Sequence, residues 1–157
     1  MVQSEKGHGT TFNIYLPRVE EAADLNAVPA PRAAEGGSET VLLVEDEESV
    51  RQLVRETLQS RGYQVVEAEN GEAGVDAAAK HQGKIDMVIT DVVMPGMGGR
   101  ELVKRLAETR PETKVLYLSG YTEDAIVNEG TIESGTAFLQ KPFTLQNLSR
   151  KVREVLG

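Results

Sequence analysis

The sequence predicts an α/β fold over residues 39–157, a doubly wound, five-stranded parallel sheet with helices on both faces. Three observations predict it. Short apolar runs alternate with longer amphipathic stretches from Glu39 to the end of the chain. Val41-Leu42-Leu43-Val44 is apolar without interruption, as a strand covered on both faces must be. Turn and cap residues separate the runs, Gly62, Asn70, Gly98-Gly99 and Pro111 among them.

After the first strand, Val50, Leu53, Val54, Thr57 and Leu58 make one helical stripe, closed by Gly62. Gln64 to Ala68 is a more polar strand, suited to a sheet edge, and Asn70 caps a helix that runs to His81. Ile85 to Thr90 is the third strand and ends at Asp91. Leu102, Val103 and Leu106 mark a helix that starts after Gly98 and Gly99 and stops before Pro111. Lys114 to Leu118 is the fourth strand, followed by a short polar helix from Thr122 to Asn128. Ala137 to Gln140 is the fifth strand, and the last helix turns Leu145, Leu148, Val152, Val155 and Leu156 inward. Right-handed crossovers place such helices on both faces of one sheet. The size and count favour the flavodoxin-like strand order 2-1-3-4-5 without fixing it.

A chain of 157 residues holds one such domain and a tail. The apolar fraction of 39% and charged fraction of 27% are those of a soluble globular protein, with an aliphatic core because Trp is absent. A net charge of -8 and no basic cluster argue against nucleic acid as a partner. No apolar run approaches the roughly 20 residues that span a bilayer, and the N-terminus lacks the plan of a secretory signal. The lack of cysteine excludes disulfides and thiolate metal sites and fits a cytoplasmic location.

Ahead of the α/β region the character changes. Residues 19–38, rich in Ala, Pro, Glu and Gly, read as a flexible linker. Before them, Phe12, Ile14 and Leu16 alternate like a single strand after Gly7-His8-Gly9. A lone strand leaves its backbone and apolar face without partners, so residues 1–18 read as a fragment of something larger.

The chemistry lies where strands end. In a parallel sheet all strand C-termini share one rim, and ligands bind there at the switch point. Glu45-Asp46 ends the first strand, Asp91 the third, Ser119 the fourth and Lys141 the fifth. Three carboxylates at one point repel one another unless a cation joins them. Oxygen ligands suit a hard ion such as Mg2+ or Mn2+, with Asp46 and Asp91 as direct ligands, Glu45 direct or through water, and the Val93 carbonyl completing the shell. Asp91 is then the nucleophile, its carboxylate taking a phosphoryl group as an acyl phosphate. The barrier falls through positioning and charge neutralisation, with Lys141 and the Ser119 hydroxyl each serving a phosphoryl oxygen.

Each residue also has a plain reading. A single strand-end acid is usually a helix cap, Lys141 alone a surface lysine, and Ser119 a turn former. The joint pattern shifts the balance, because four strands must each end in a suitable group. His8 and His81 have no such company and are expected in solvent. Tyr63, Tyr117, Met87, Met94 and Met97 are expected to pack.

Val41 to Glu47, Asp91-Val92-Val93-Met94-Pro95-Gly96-Met97-Gly98-Gly99, Leu118-Ser119-Gly120-Tyr121 and Lys141-Pro142-Phe143 together resemble the response-regulator receiver domain. The resemblance implies a phosphoaspartate at Asp91, an acidic metal pair at Glu45 and Asp46, and active roles for Ser119 and Lys141. It further implies an aromatic switch residue at Phe138, a cis Lys141-Pro142 peptide, and a domain that catalyses its own phosphorylation and dephosphorylation. The switch would remodel the face of the 122–128 helix, the fifth strand and the last helix, a surface suited to a homodimer. Two departures stand out. Gly98 replaces a common Asp, and Phe138 replaces a commoner Tyr and so lacks a hydroxyl.

Residues 7–17 resemble the last glycine box and closing strand of a histidine-kinase ATP-binding domain. Together with the linker and receiver they imply the C-terminal end of a hybrid sensor kinase whose catalytic domain lies outside this sequence. No ATP binding is expected of this chain, and no DNA-binding region follows the receiver. The implied partner is phosphohistidine on a kinase dimerisation domain or a histidine phosphotransfer domain. Two other readings compete. One is a pseudo-receiver that binds protein without phosphorylation, which the complete set of rim groups opposes. The other is an Asp-nucleophile phosphatase, which needs a second Asp where Glu48 stands.

Overall fold

The structure, a computed structural model, describes residues 2–5, 7, 9–12, 15, 36–120 and 136–157. The chain divides into two compact units, Met1–Pro31 and Arg32–Gly157. In the first, β1 (Val2–Glu5) and β2 (Gly9–Phe12) form an antiparallel hairpin, with Val2 opposite Phe12. The strand read from Phe12, Ile14 and Leu16 shares only Phe12 with β2. Its partner, Val-Gln-Ser-Glu, is too short and polar to display a period. Ile14, Leu16 and His8 lie outside the described residues.

The second unit runs β3 (Thr40–Val44), α1 (Glu48–Gln59), β4 (Gln64–Ala68), α2 (Gly71–Lys80), β5 (Met87–Asp91), α3 (Gly99–Thr109), β6 (Lys114–Ser119), β7 (Ala137–Gln140) and α4 (Leu145–Leu156). All five strands pair in parallel in the order β4-β3-β5-β6-β7, which is the order 2-1-3-4-5. The helix expected at 122–128 lies outside the described residues.

The side-chain alternation of β3 divides the core in two. Val41 and Leu43 face α1 and α4, packing with Val54, Leu58, Leu148 and Val152. Leu42 and Val44 face α2 and α3, packing with Ala78, Leu102 and Leu106. Val41, Leu42, Leu43 and Val44 are all fully buried, which is why this run carries no polar residue. The β4 strand is the edge its polarity suggested, with Gln64 and Glu67 exposed. Tyr63, Tyr117, Met87, Met94 and Met97 are all buried.

Three side chains depart from expectation. Leu53 is 46% exposed and Leu145 41% exposed, so neither belongs to its helix's inward stripe. Leu53 lies at the margin of the α1 stripe, and Leu145 is the first residue of α4, before the helix reaches the sheet. His81, expected in solvent, is half-buried, and its carbonyl accepts a bond from Arg110 Nη2 at 2.6 Å. The cap at Asn70 is as the sequence suggested, its side chain accepting from the Ala73 amide at 2.8 Å.

At the start of the domain, Gly37 donates its amide to the Arg61 carbonyl at 3.1 Å. Gly62 sits there at φ +95°, with the Gly37 oxygen only 2.6 Å from where a β-carbon would be. Both the left-handed conformation and the close approach require glycine. Next to this contact, Arg153 Nη2 donates to Glu39 Oε1 at 2.8 Å and joins the end of α4 to the start of β3.

Two predictions follow from this packing. In urea denaturation, Leu58→Ala should cost about 3 kcal/mol and Leu53→Ala less than about 0.5 kcal/mol, although both residues sit on α1. Equal costs would return Leu53 to the core. The second concerns pH. The hydrogen bond from Arg153 holds the Glu39 carboxyl below its ordinary 4.5, against the opposing effect of burial. A depressed acid stabilises the fold above its unfolded value and loses that contribution as pH falls through its folded value. Glu39→Gln should therefore flatten this part of the acid limb in Tm against pH. The expected size is about 0.5 kcal/mol, because the pair is partly solvent-screened.

Candidate phosphoacceptor and metal site

The strands β3 and β5 are hydrogen-bonded neighbours, with Val44 paired to Thr90, so their C-terminal ends open on the same rim. Glu45, Asp46 and Asp91 leave those ends together. One carboxylate oxygen from each lies within 4.8 Å of the others. Glu45 is 1% exposed, Asp91 half-buried and Asp46 exposed. The cluster thus runs from a closed floor to an open mouth.

Lys141 comes to the same point from the end of β7. Its backbone amide donates to the Ser119 carbonyl at 2.7 Å, and its peptide bond to Pro142 is cis. The Lys141 ammonium donates to Glu45 Oε1 at 3.0 Å, to Glu45 Oε2 at 2.8 Å and to Asp91 Oδ2 at 2.7 Å. Burial pushes the Glu45 carboxyl up from its ordinary range; the Lys141 contact opposes this, and the Asp91 charge adds to it. For Lys141, burial works to lower the pKa. Hydrogen bonds to Asp91 and Glu45 outweigh it, so the ammonium is held more firmly than usual. The two-oxygen contact with Glu45 is that of an ionised carboxylate, and the pair stands as an ion pair.

Ser119, at the end of β6, is buried and follows Leu118, the residue paired with Asp91. Its position is on the same rim. Phe138 is half-buried on β7 and packs against Val92 and Tyr117. The Val93 amide donates to Asp91 Oδ1 at 3.3 Å, while the Val93 residue itself is 65% exposed. The structure brings Glu45, Asp46, Asp91 and Lys141 together, and Ser119 ends the strand next to that of Asp91.

The loop after Asp91 is held by close backbone contact. Gly99 donates its amide to the Val92 carbonyl at 3.1 Å, and a β-carbon on Gly99 would collide with the Asp91 carbonyl. Gly98 is the N-cap of α3 and, having no side chain, supplies no cap bond. Sequence reasoning missed two groups. Thr90 is buried, its hydroxyl donating to the Asp91 carbonyl at 3.0 Å. Arg51, on α1, donates from Nη1 to the Glu45 carbonyl at 2.7 Å. An Arg in the first turn of a helix reads as solvated surface, and nothing in its spacing pointed inward.

The donor set fits a hard divalent cation. Three carboxylates converging on one point of the rim are the oxygen ligands such an ion takes. The Lys141 ammonium between Glu45 and Asp91 shows that this point already favours positive charge.

An acid cluster at the switch point of a 2-1-3-4-5 sheet, joined by a lysine from the edge strand, defines a signalling domain of the two-component class. The chain belongs to the response regulator receiver domain family, whose model matches residues 41–153. It is 43% identical to the sensor kinase CckA of Brucella abortus (strain 2308) over 163 aligned positions, covering 98% of this chain. The chain spans only 17% of that kinase's length. Among solved structures, the receiver domain of the hybrid histidine kinase CckA matches with a TM-score of 0.64 and 36% identity, covering 75% of this chain and 99% of that one. The Vibrio cholerae chemotaxis protein CheY4 matches with a TM-score of 0.67 and 36% identity, covering 76% and 99%. Among the described residues, no helix is long and apolar enough to cross a membrane.

Removing the ammonium leaves the buried Glu45 carboxylate without its counter-charge. Without divalent cations, Lys141→Met should cost about 2–3 kcal/mol in urea denaturation, and adding Glu45→Gln should recover part of that loss. Full additivity of the two changes would mean the pair is not coupled.

Proposed function

We propose that Asp91 is the phosphoacceptor of a phosphorelay and that Glu45, Asp46, Asp91 and the Val93 carbonyl hold Mg2+ or Mn2+ beside it. The observation that carries this reading is the meeting of three carboxylates and one ammonium at a single point of the rim. The donor is phosphohistidine on a kinase dimerisation domain or a histidine phosphotransfer domain. An Asp91 carboxylate oxygen attacks phosphorus, the new O–P bond forms, and the P–N bond breaks with its electron pair returning to the imidazole. The carboxylate is already ionised, so no general base is required. A cation held by these acids would supply charge neutralisation for the phosphoryl oxygens.

Within this scheme the residues of the chain have separate tasks. Lys141 gives up its contact with Asp91 to meet a phosphoryl oxygen while keeping Glu45, which limits how far the ammonium can stray. Ser119 offers its hydroxyl to another oxygen. Phe138, half-buried beside Tyr117, takes up the inward position when Ser119 moves. Such a change biases a two-state surface through one local modification.

The parent protein is proposed to be a hybrid sensor kinase. Residues 1–18 would be the end of its ATP-binding domain, 19–38 the linker and 39–157 the receiver, acting in the cytoplasm. Support comes from the 98% coverage, which takes in the segment ahead of the receiver as well.

The test uses the chain with Mg2+ and acetyl phosphate, read by intact mass, or with beryllofluoride, read by amide shifts. One phosphoryl group should appear on Asp91, and Asp91→Asn should remove it. An unmodified wild-type chain at saturating donor would end the proposal.

A further inference from the structure

We propose that Arg51 is a positioning residue that clamps the Glu45–Asp46 backbone and so holds the acid pair ready for the cation. The inference rests on the metal-dependent reading of the rim. Its origin is a backbone problem. The Glu45 amide makes the last rung toward β4, donating to the Ala68 carbonyl at 3.2 Å. Beyond that rung the chain must turn into α1, and its carbonyls need donors from elsewhere.

A helix cap cannot serve these carbonyls, because a capping side chain accepts from amides. Glu47, the N-cap of α1, makes no side-chain cap bond. Its carboxylate instead accepts from the Ser49 hydroxyl at 2.7 Å. Arg51, in the first turn of the helix, reaches back and donates from Nη1 to the Glu45 carbonyl at 2.7 Å, with the Asp46 carbonyl at 3.5 Å. A charged donor of this kind is stronger than a neutral one. Glu45 is then held at three points, with its amide on β4, its carbonyl on α1 and its carboxylate on Lys141. Asp46 follows directly, and the direction of its carboxylate is set by the peptide that Arg51 fixes.

Two physical effects of the guanidinium have opposite signs. As a positive charge near three carboxylates, it opposes the binding of a second cation, and its removal would tighten Mg2+. As a clamp it organises the ligands, and its removal would weaken Mg2+. Loss of partners that orient metal ligands costs about 10- to 100-fold in affinity. The clamp is inferred to dominate because the contact is short and goes to the backbone of two ligands.

The experiment compares the 157-residue chain with its Arg51→Met and Arg51→Lys variants. Amide hydrogen exchange at residues 45–47 is measured without divalent cations, and Mg2+ is titrated by calorimetry alongside thermal melting. Arg51→Met should speed exchange at the turn and weaken Mg2+ by about tenfold or more, with Arg51→Lys intermediate. Unchanged or tighter Mg2+ binding in Arg51→Met overturns the inference, as does unchanged exchange. If Arg51→Met does not fold, Arg51→Lys decides, because it keeps the charge and loses the fork, and wild-type affinity in it is the overturning result. A wild-type chain that takes no Mg2+ would instead sink the metal reading of the rim, and the metal-free exchange then judges the clamp by itself.

Discussion

The Lys141 ammonium, held between Glu45 and Asp91, is the contact on which the rest of the rim depends. A parallel sheet points all its strand ends one way and so gathers whatever side chains end them. Here it gathers three acids, one with almost no access to water. Without an opposing charge such a carboxylate would be costly to bury. The lysine comes from an edge strand separated from β5 by β6, so its flexible stem crosses a full strand to reach the cluster. This single long-range contact ties β3, β5 and β7 at their functional ends.

The same contact prepares the chemistry. In the proposed phosphotransfer the ammonium would leave Asp91 for a phosphoryl oxygen while remaining anchored to Glu45. A rigid, planar guanidinium would suit that exchange less well, because its fork favours a fixed bidentate partner. Beneath the rim, the two aliphatic layers keep β3 and β5 immobile, which lets small side-chain movements at the surface carry meaning. The glycines at 98 and 99 bring the loop after Asp91 against its own strand, so Asp91 sits on packed backbone and not on a free loop.

Much of this was legible in the chain. The β4 and β7 boundaries agree with the sequence reading to the residue, and the strand order is the one that size and count favoured without fixing. The rim acids, Ser119 and Lys141 were legible because each ends a strand, and strand ends are marked by an abrupt loss of apolar pattern. Leu53 and Leu145 were misread because helical periodicity gives an angle but no depth, and residues at the margin of a stripe, or in a helix's first turn, escape the sheet. The strand Val2–Glu5 was missed because four polar-leaning residues carry no period.

The sequence by itself determined the alternation of elements, the buried central strand and the list of groups delivered to the rim, since these follow from local polarity and from connection rules. Only the tertiary structure decided which of those groups touch. That Lys141 grips two acids and that Glu45 is sealed off while Asp46 stays open depend on distances between segments far apart in the chain. Such distances are set by packing against common neighbours, and no local pattern encodes them.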